Sequence, residues 1–85
     1  MVIERIVVTE KFEREVRKIR DKGIKERIDL EVRHIRENPD SGKPLVHGLK
    51  GERTVRIKPY RLIYSIEGHS LILLRFEHRK DVYED

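Results

Sequence analysis

The sequence predicts a two-layer α+β domain with the element order β-α-α-β-β-β. A β-branched run opens the chain, two segments with helical spacing of apolar residues follow, and three alternating runs fill the second half. The chain has 85 residues, which is the size of one domain, and we expect a single domain over 1–85. Its core should be thin, because short chains bury a smaller fraction of their surface.

The first half of the chain predicts one strand and two helices. The run VIERIVV, residues 2–8, is typical of a strand, and Thr9 is a preferred N-cap residue for the helix that follows. That helix should end at Gly23, and the second should end at the NPD sequence of residues 38–40. The turn at Gly23 that joins the two helices is short, so the helices should form an antiparallel hairpin. Each carries one apolar stripe, formed by Phe12, Val16 and Ile19 and then by Ile24, Ile28, Val32 and Ile35.

The second half predicts a loop and a three-stranded antiparallel meander. The run SGKPLVHGLKG, residues 41–51, is rich in glycine and reads as a loop. The runs ERTVRIK, YRLIYSI and SLILLRF follow as strands, with Pro59 between the first two and residues 67–69 between the last two. Both connections are short enough for hairpins.

Side-chain alternation sorts this meander into two faces. The face toward the helices should carry the apolar residues Val55, Ile57, Tyr60, Leu62, Tyr64, Ile66, Ile72, Leu74 and Phe76. Leu71 and Leu73 should then lie on the opposite face. The same alternation places four cationic residues together on that opposite face, namely Arg56, Lys58, Arg61 and Arg75.

The charge distribution indicates an anionic partner or a solvated sheet face. The net charge is +4, and the excess lies in the second half, where basic residues outnumber acidic ones. Such a segment suggests nucleic acid first, although Lys and Arg can also simply solubilise a sheet. We expect RNA contacts from this basic set, which includes Lys50, Arg53, Arg56, Lys58 and Arg75.

Composition excludes several classes of protein and site. The chain has no Cys and hence no disulfide framework or thiolate zinc site, and its four His show no metal-ligand spacing. No apolar run approaches the roughly 18 residues of a spanning helix, and the N-terminus does not resemble a signal peptide. We therefore expect a cytoplasmic protein without a metal or small-molecule cofactor.

The residues available on the basic face suit metal-free cleavage of RNA. Guanidinium groups bind phosphate oxygens and can stabilise charge on a phosphoryl group, a His can pass a proton, and a Tyr can stack on an unpaired base. In such a reaction the ribose 2′-OH attacks its own phosphate. The sheet segment has no paired carboxylates, which argues against glycosidase-like or two-metal chemistry.

The runs KPLVHGLKG, VRIKPYRLIYSI and LILLRFEHRKDVY resemble the RelE/ParE toxin superfamily of bacterial and archaeal toxin–antitoxin pairs. The resemblance covers the whole chain, and Tyr-Arg-Leu-Ile-Tyr together with His-Arg-x-x-Val-Tyr is its most specific part. It implies a RelE-like fold and a cognate acidic, RelB-like antitoxin. RelE-type members are ribosome-dependent endoribonucleases that cut mRNA, whereas the ParE branch inhibits DNA gyrase without nuclease chemistry.

The resemblance also implies roles for individual residues. Arg61 matches the strand arginine that binds the scissile phosphate, and Arg79 matches a phosphate ligand or general acid. Tyr83 matches the C-terminal tyrosine that stacks on or orients the target nucleotide, and His78 stands where some relatives have a proton donor. No lysine aligns with a general base, for which His47 is a substitute candidate.

Three functions remain open from the sequence. The first is a RelE-like mRNA endoribonuclease, and the second is a ParE-like inhibitor that binds a protein target. The third is a degenerate member that binds only RNA or its antitoxin. The basic set Arg56, Arg61 and Arg79 with His78 separates the first from the second, because the ParE branch does not need those residues.

Overall fold

The computed structural model describes residues 1–45 and 51–81, and within them five strands form one mixed sheet in the order β1-β5-β4-β3-β2. The elements are β1 (Arg5–Val8), α1 (Glu10–Arg17), α2 (Lys22–Glu37), β2 (Lys43–Pro44), β3 (Arg53–Ile57), β4 (Tyr60–Glu67), β5 (Ser70–His78) and a 3₁₀ helix (Arg79–Asp81). The predicted β-α-α-β-β-β order is confirmed, with one addition. The short strand β2 lies inside the predicted loop of residues 41–51.

Each helix begins at a side chain that caps its free N–H groups. The Thr9 hydroxyl accepts a hydrogen bond from Phe12 N at 3.1 Å, which confirms the predicted N-cap of α1. The prediction that this helix ends at Gly23 is wrong. α1 ends at Arg17, and Asp21 starts α2 by accepting from Ile24 N at 3.1 Å, so Gly23 lies in the first turn of α2. Of the helices in the described residues, none combines the length and the apolar character that crossing a membrane requires.

The sheet combines a parallel edge with an antiparallel meander. β1 runs parallel to β5, from the Arg5–Ser70 pair to the Val8–Leu73 pair, and it begins at Arg5 rather than at Val2 as predicted. β3, β4 and β5 pair antiparallel, as the sequence predicts. Gly68, with φ +61°, occupies the tight turn between β4 and β5, where an L side chain would be strained.

A β-bulge in β5 changes which of its residues face the core. Ile63 pairs with Arg75 but Tyr64 pairs with Leu73, so Leu74 is the extra residue on β5. The alternation therefore resets, and Leu71 and Leu73 join Phe76 in the core. The prediction that Ile72 and Leu74 fill the core was wrong, because simple alternation assumes an unbroken ladder.

The core lies between the helices and one face of the sheet. α1 packs against β5, where the Phe12 and Phe76 rings meet edge to face with centroids 6.0 Å apart. α2 packs against β3. The buried residues of the core are Ile3, Phe12, Ile19, Ile28, Ile35, Ile57, Leu62, Tyr64, Leu71, Leu73 and Phe76. Tyr60 and Phe76 stack at 4.8 Å and extend the core toward the β3–β4 turn.

Tyr64 ties the end of α2 to the sheet. Its ring is fully buried, and its hydroxyl donates to Pro39 O at 2.7 Å while accepting from Gly42 N at 3.0 Å. A Cβ at position 42 would lie 2.7 Å from the Tyr64 ring, so this close approach requires glycine. The segment that carries β2 is therefore held by one side chain of the central strand.

We predict that Tyr64→Phe lowers the free energy of unfolding by about 1–3 kcal/mol. The substitution keeps the ring but leaves Pro39 O and Gly42 N without their buried partner. Urea denaturation followed by far-UV circular dichroism measures the change. Tyr60→Phe is the matched control, since the Tyr60 hydroxyl makes no hydrogen bond to the described residues, and equal losses in both variants would contradict the prediction.

Candidate nucleic-acid interface

Strand pairing aligns charged residues in a row across the face of the sheet away from the helices. Arg56 of β3 lies directly opposite Arg61 of β4, and Arg61 lies opposite Glu77 of β5. Arg75 pairs with Ile63 and shares the same face. The predicted grouping of Arg56, Arg61 and Arg75 on one face thus agrees with the observed register.

Arg56 and Arg61 open onto a basic pocket at the β3–β4 turn. The pocket has a volume of about 150 Å³ and is lined by Arg56, Lys58, Pro59, Tyr60, Arg61 and Arg79. The 3₁₀ helix reaches it because Arg79 N donates to Pro59 O at 2.8 Å. Four cationic side chains, from β3, the β3–β4 turn, β4 and the 3₁₀ helix, therefore converge, and no acidic residue belongs to the described lining.

Arg61 differs from the other cations of the basic pocket in its burial. It is only 9% exposed, whereas Arg56, Lys58 and Arg79 are exposed. A guanidinium held by its surroundings loses little conformational freedom when it binds an anion. Burial thus holds the Arg61 side chain more rigidly than the exposed cations of the basic pocket.

Arg75 forms ion pairs with two carboxylates beside the basic pocket. Its guanidinium binds Glu52 bidentately, at 2.7 Å and 3.3 Å, and its Nε donates to Glu77 at 3.2 Å. The bond to Glu52 is the main cause that raises the pKa of Arg75 above its ordinary value. These contacts favour a structural role for Arg75 over the predicted RNA contact.

Arg53 likewise holds the backbone of the segment after α2. Its Nη1 donates to Gly42 O at 2.7 Å and to Asp40 O at 3.3 Å. Arg53 does not line the basic pocket. Its contacts therefore account for its position without an RNA ligand.

His78 lies on the helix side of the sheet. It pairs with Tyr60, the two rings meet edge to face at 5.2 Å, and its Nδ1 accepts from Lys80 N at 3.1 Å. The structure does not bring His78 into the lining of the basic pocket beside Arg61. The reason is strand alternation, because the bulge at Leu74 comes too early to turn His78 to the other face.

Three sequence candidates lie outside the described residues, namely His47, Lys50 and Tyr83. Two residues of the pocket were assigned no site role from the sequence. Pro59 was interpreted as a turn and Tyr60 as core, yet both line the basic pocket. Their position in the turn directly before Arg61 is the signal that could have identified them.

Solved structures of toxins share this fold. The RelBE2 toxin–antitoxin complex from Mycobacterium tuberculosis has a chain with 26% identity and a TM-score of 0.74, covering 92% of this chain and 100% of that one. The RelB–RelE antitoxin–toxin complex from Methanococcus jannaschii has a chain with 20% identity and a TM-score of 0.70, covering 88% and 92%. A copper-bound mutant toxin from Helicobacter pylori has 21% identity and a TM-score of 0.67, covering 98% and 100%.

The fold is thus that of the RelE/ParE superfamily of toxins. The model of the ParE toxin of the type II toxin–antitoxin system parDE matches residues 6–83. The chain therefore belongs to the ParE toxin family, as a toxin of a type II toxin–antitoxin system. No curated protein sequence matches it.

We predict that Arg75→Met destabilises the fold by roughly 1–3 kcal/mol, because it removes the bidentate partner of Glu52, whose side chain is only 7% exposed. The double variant Arg75→Met/Glu52→Gln should recover part of this loss, since the buried Glu52 carboxylate is then removed together with its arginine. Urea denaturation of both variants measures the coupling. Arg33→Met, at an exposed site on α2, is the control and should change stability by less than about 0.5 kcal/mol.

Proposed function

We propose that this toxin is a RelE-like endoribonuclease that cleaves mRNA on the ribosome, in the cytoplasm. The observation that carries the proposal is the convergence of Arg56, Lys58, Arg61 and Arg79 on one pocket. Phosphate is the ligand class that such a set recognises best, because guanidinium groups bind its oxygens bidentately. RNA supplies that phosphate next to a ribose 2′-OH.

The pairing of Arg56 with Arg61 supports a functional origin of this charge. Like charges directly opposite each other on neighbouring strands destabilise a sheet by up to about 1 kcal/mol. A face that only had to be soluble would alternate signs across the strands. The cost of the Arg56–Arg61 pair is explained if an anion binds between these strands and the turn that joins them.

In the proposed reaction the ribose 2′-OH attacks the adjacent phosphorus while the bond to the 5′-oxygen of the next nucleotide breaks. Arg61 and Arg79 bind the non-bridging oxygens, where negative charge increases in the transition state. Arg56 and Lys58 hold the same phosphate from the β3 side. The cationic side chains thereby fill the role that divalent metals have in many other nucleases.

The attacking 2′-OH loses its proton as the bond to phosphorus forms, and the departing 5′-oxygen takes up a proton as its bond to phosphorus breaks. Arginine guanidinium groups stay protonated, so among the charged lining residues Lys58 is the one able to give up a proton. His78 packs against Tyr60 on the other face and is not assigned as the acid. For Tyr83 we retain the role that the resemblance implies, namely stacking on or orienting the target nucleotide.

We also propose a cognate acidic antitoxin of the RelB type as the partner that holds the toxin inactive. Two of the similar structures are described as complexes of RelB-type antitoxins with their toxins. This chain has a net charge of +4, which an acidic segment would complement. A small acidic protein encoded next to the toxin gene would be the expected genetic arrangement.

We predict that Arg61→Ala and Arg79→Ala each lower the rate of cleavage of ribosome-bound mRNA by about 10²–10³-fold, the effect of removing one donor to a developing charge. Primer extension on mRNA from purified translating ribosomes measures the cleavage. Arg20→Ala, at an exposed site between the helices, is the control and should cleave like wild type. Wild-type rates in both pocket variants would contradict the mechanism, and circular dichroism verifies that the variants fold.

The family match favours one second candidate, a ParE-like inhibitor of DNA gyrase. A supercoiling assay with purified gyrase and this protein separates the two functions. We expect unchanged supercoiling at toxin concentrations that cleave ribosome-bound mRNA completely. Inhibited supercoiling without any mRNA cleavage would instead establish the ParE-like function.

A further inference from the structure

A second concavity adjoins the basic pocket at the edge of the sheet. We call it the edge groove; it lies between α2, residues 41–44 and β3, and it has a volume of about 520 Å³. Arg56 and Arg61 line both the edge groove and the basic pocket. The two concavities therefore adjoin at these two side chains.

The volumes of the two concavities indicate that they can hold ligand groups of different size. Small-molecule sites typically measure about 300–1,000 Å³, so the basic pocket, at about 150 Å³, is smaller than a site for a whole nucleotide. The edge groove, at about 520 Å³, falls within that range. A nucleic acid whose phosphate lies between Arg56 and Arg61 would have its adjoining nucleoside in the edge groove.

The lining of the edge groove fits a nucleoside and the phosphate that follows it. Pro44 and Val55 offer apolar surface to a base or ribose, and Lys43 can bind a further phosphate. Thr54 also lines the groove, and its buried hydroxyl makes no hydrogen bond to the described residues.

Glu31 of α2 adds a carboxylate to these basic surroundings. A carboxylate repels phosphate, so in an RNA site Glu31 is better placed toward the base than toward the phosphate. It then accepts hydrogen bonds from an exocyclic amino group, as glutamate does with N4 of cytosine. Uracil has no amino group and offers Glu31 no equivalent donor.

We propose that the edge groove is a nucleotide subsite next to the scissile phosphate, with Glu31 selecting a base that carries an exocyclic amino group and Lys43 binding the next phosphate. The proposal rests on the proposed RNA function and specifies its substrate. It makes the toxin sensitive to the base at one position beside the cleaved bond.

The test uses fluorescein-labelled 2′-O-methyl RNA octamers of cytidine and of uridine, which cannot be cleaved, with affinities from fluorescence anisotropy. We expect the wild-type protein to bind the cytidine octamer at least about fivefold more tightly. Glu31→Ala should bring this ratio to about one without a general loss of affinity. Asp29→Ala, at an exposed site outside the groove on the same helix, should leave the ratio unchanged.

Lys43→Ala should reduce the slope of log affinity against log salt by about 0.7, the value for one phosphate contact to a single strand. Lys25→Ala, exposed on α2 and outside the groove, is its control.

If Arg61→Ala weakens binding but Glu31→Ala and Lys43→Ala leave the ratio and slope unchanged, the subsite is overturned and the proposed function stands. If the wild-type protein binds neither octamer, the subsite is overturned, while the proposed function is judged separately by cleavage of ribosome-bound mRNA. If Lys43→Ala leaves RNA binding unchanged but weakens binding of a poly-glutamate peptide, the groove binds an acidic protein segment and the subsite is overturned.

Discussion

The pairing register of β4 is the constraint on which the rest of the structure depends. This strand lies between β3 and β5, and its residues from Arg61 to Tyr64 are all buried. Leu62 and Tyr64 face the helices while Arg61 faces the basic pocket. A slip by one residue would place Arg61 in the apolar core and Tyr64 outside, so the burial of the core also fixes the site.

The bulge at Leu74 makes this register compatible with the sequence of β5. In an unbroken strand Leu71, Leu73 and Arg75 would share a face, and the arginine would enter the core with the two leucines. The extra residue lets Leu71 and Leu73 point inward while Arg75 points outward to Glu52 and Glu77. Thr9 links α1 to the same place, since its hydroxyl donates to Leu74 O at 2.7 Å and its N–H donates to Leu73 O at 3.1 Å. One residue thus caps α1 and binds the bulged strand.

The sequence was sufficient for the element order and for the grouping of Arg56 and Arg61, because periodicity and hairpin pairing are local properties. It was not sufficient for the boundary between the helices, the β-bulge or the ion pairs of Arg75, because these depend on contacts that the local sequence pattern does not contain. Asp21 and Gly23 both mark a helix boundary, and the side chain of Asp21 determined it by capping α2. The bulge depends on how β5 pairs with β4, and the alternation of residues within β5 alone does not reveal that pairing. The ion pair between Arg75 and Glu52 joins residues 23 positions apart, and no local sequence pattern predicts it.

The distribution of charge on the outer face argues for a compact anion rather than a broad protein surface. Arg75 binds the carboxylates of Glu52 and Glu77, although Glu77 lies directly opposite Arg61 in the sheet. Arg75 therefore draws negative charge toward β5 and away from the turn where Arg56, Lys58 and Arg79 converge with Arg61. A surface that recognises a folded protein usually spreads its charges along a polar rim. Four cations around about 150 Å³ instead produce a focused positive potential, which matches a ligand whose charge is itself concentrated in one group. A phosphate of an RNA chain has that property, and its neighbouring ribose hydroxyl is the nucleophile that the proposed reaction needs.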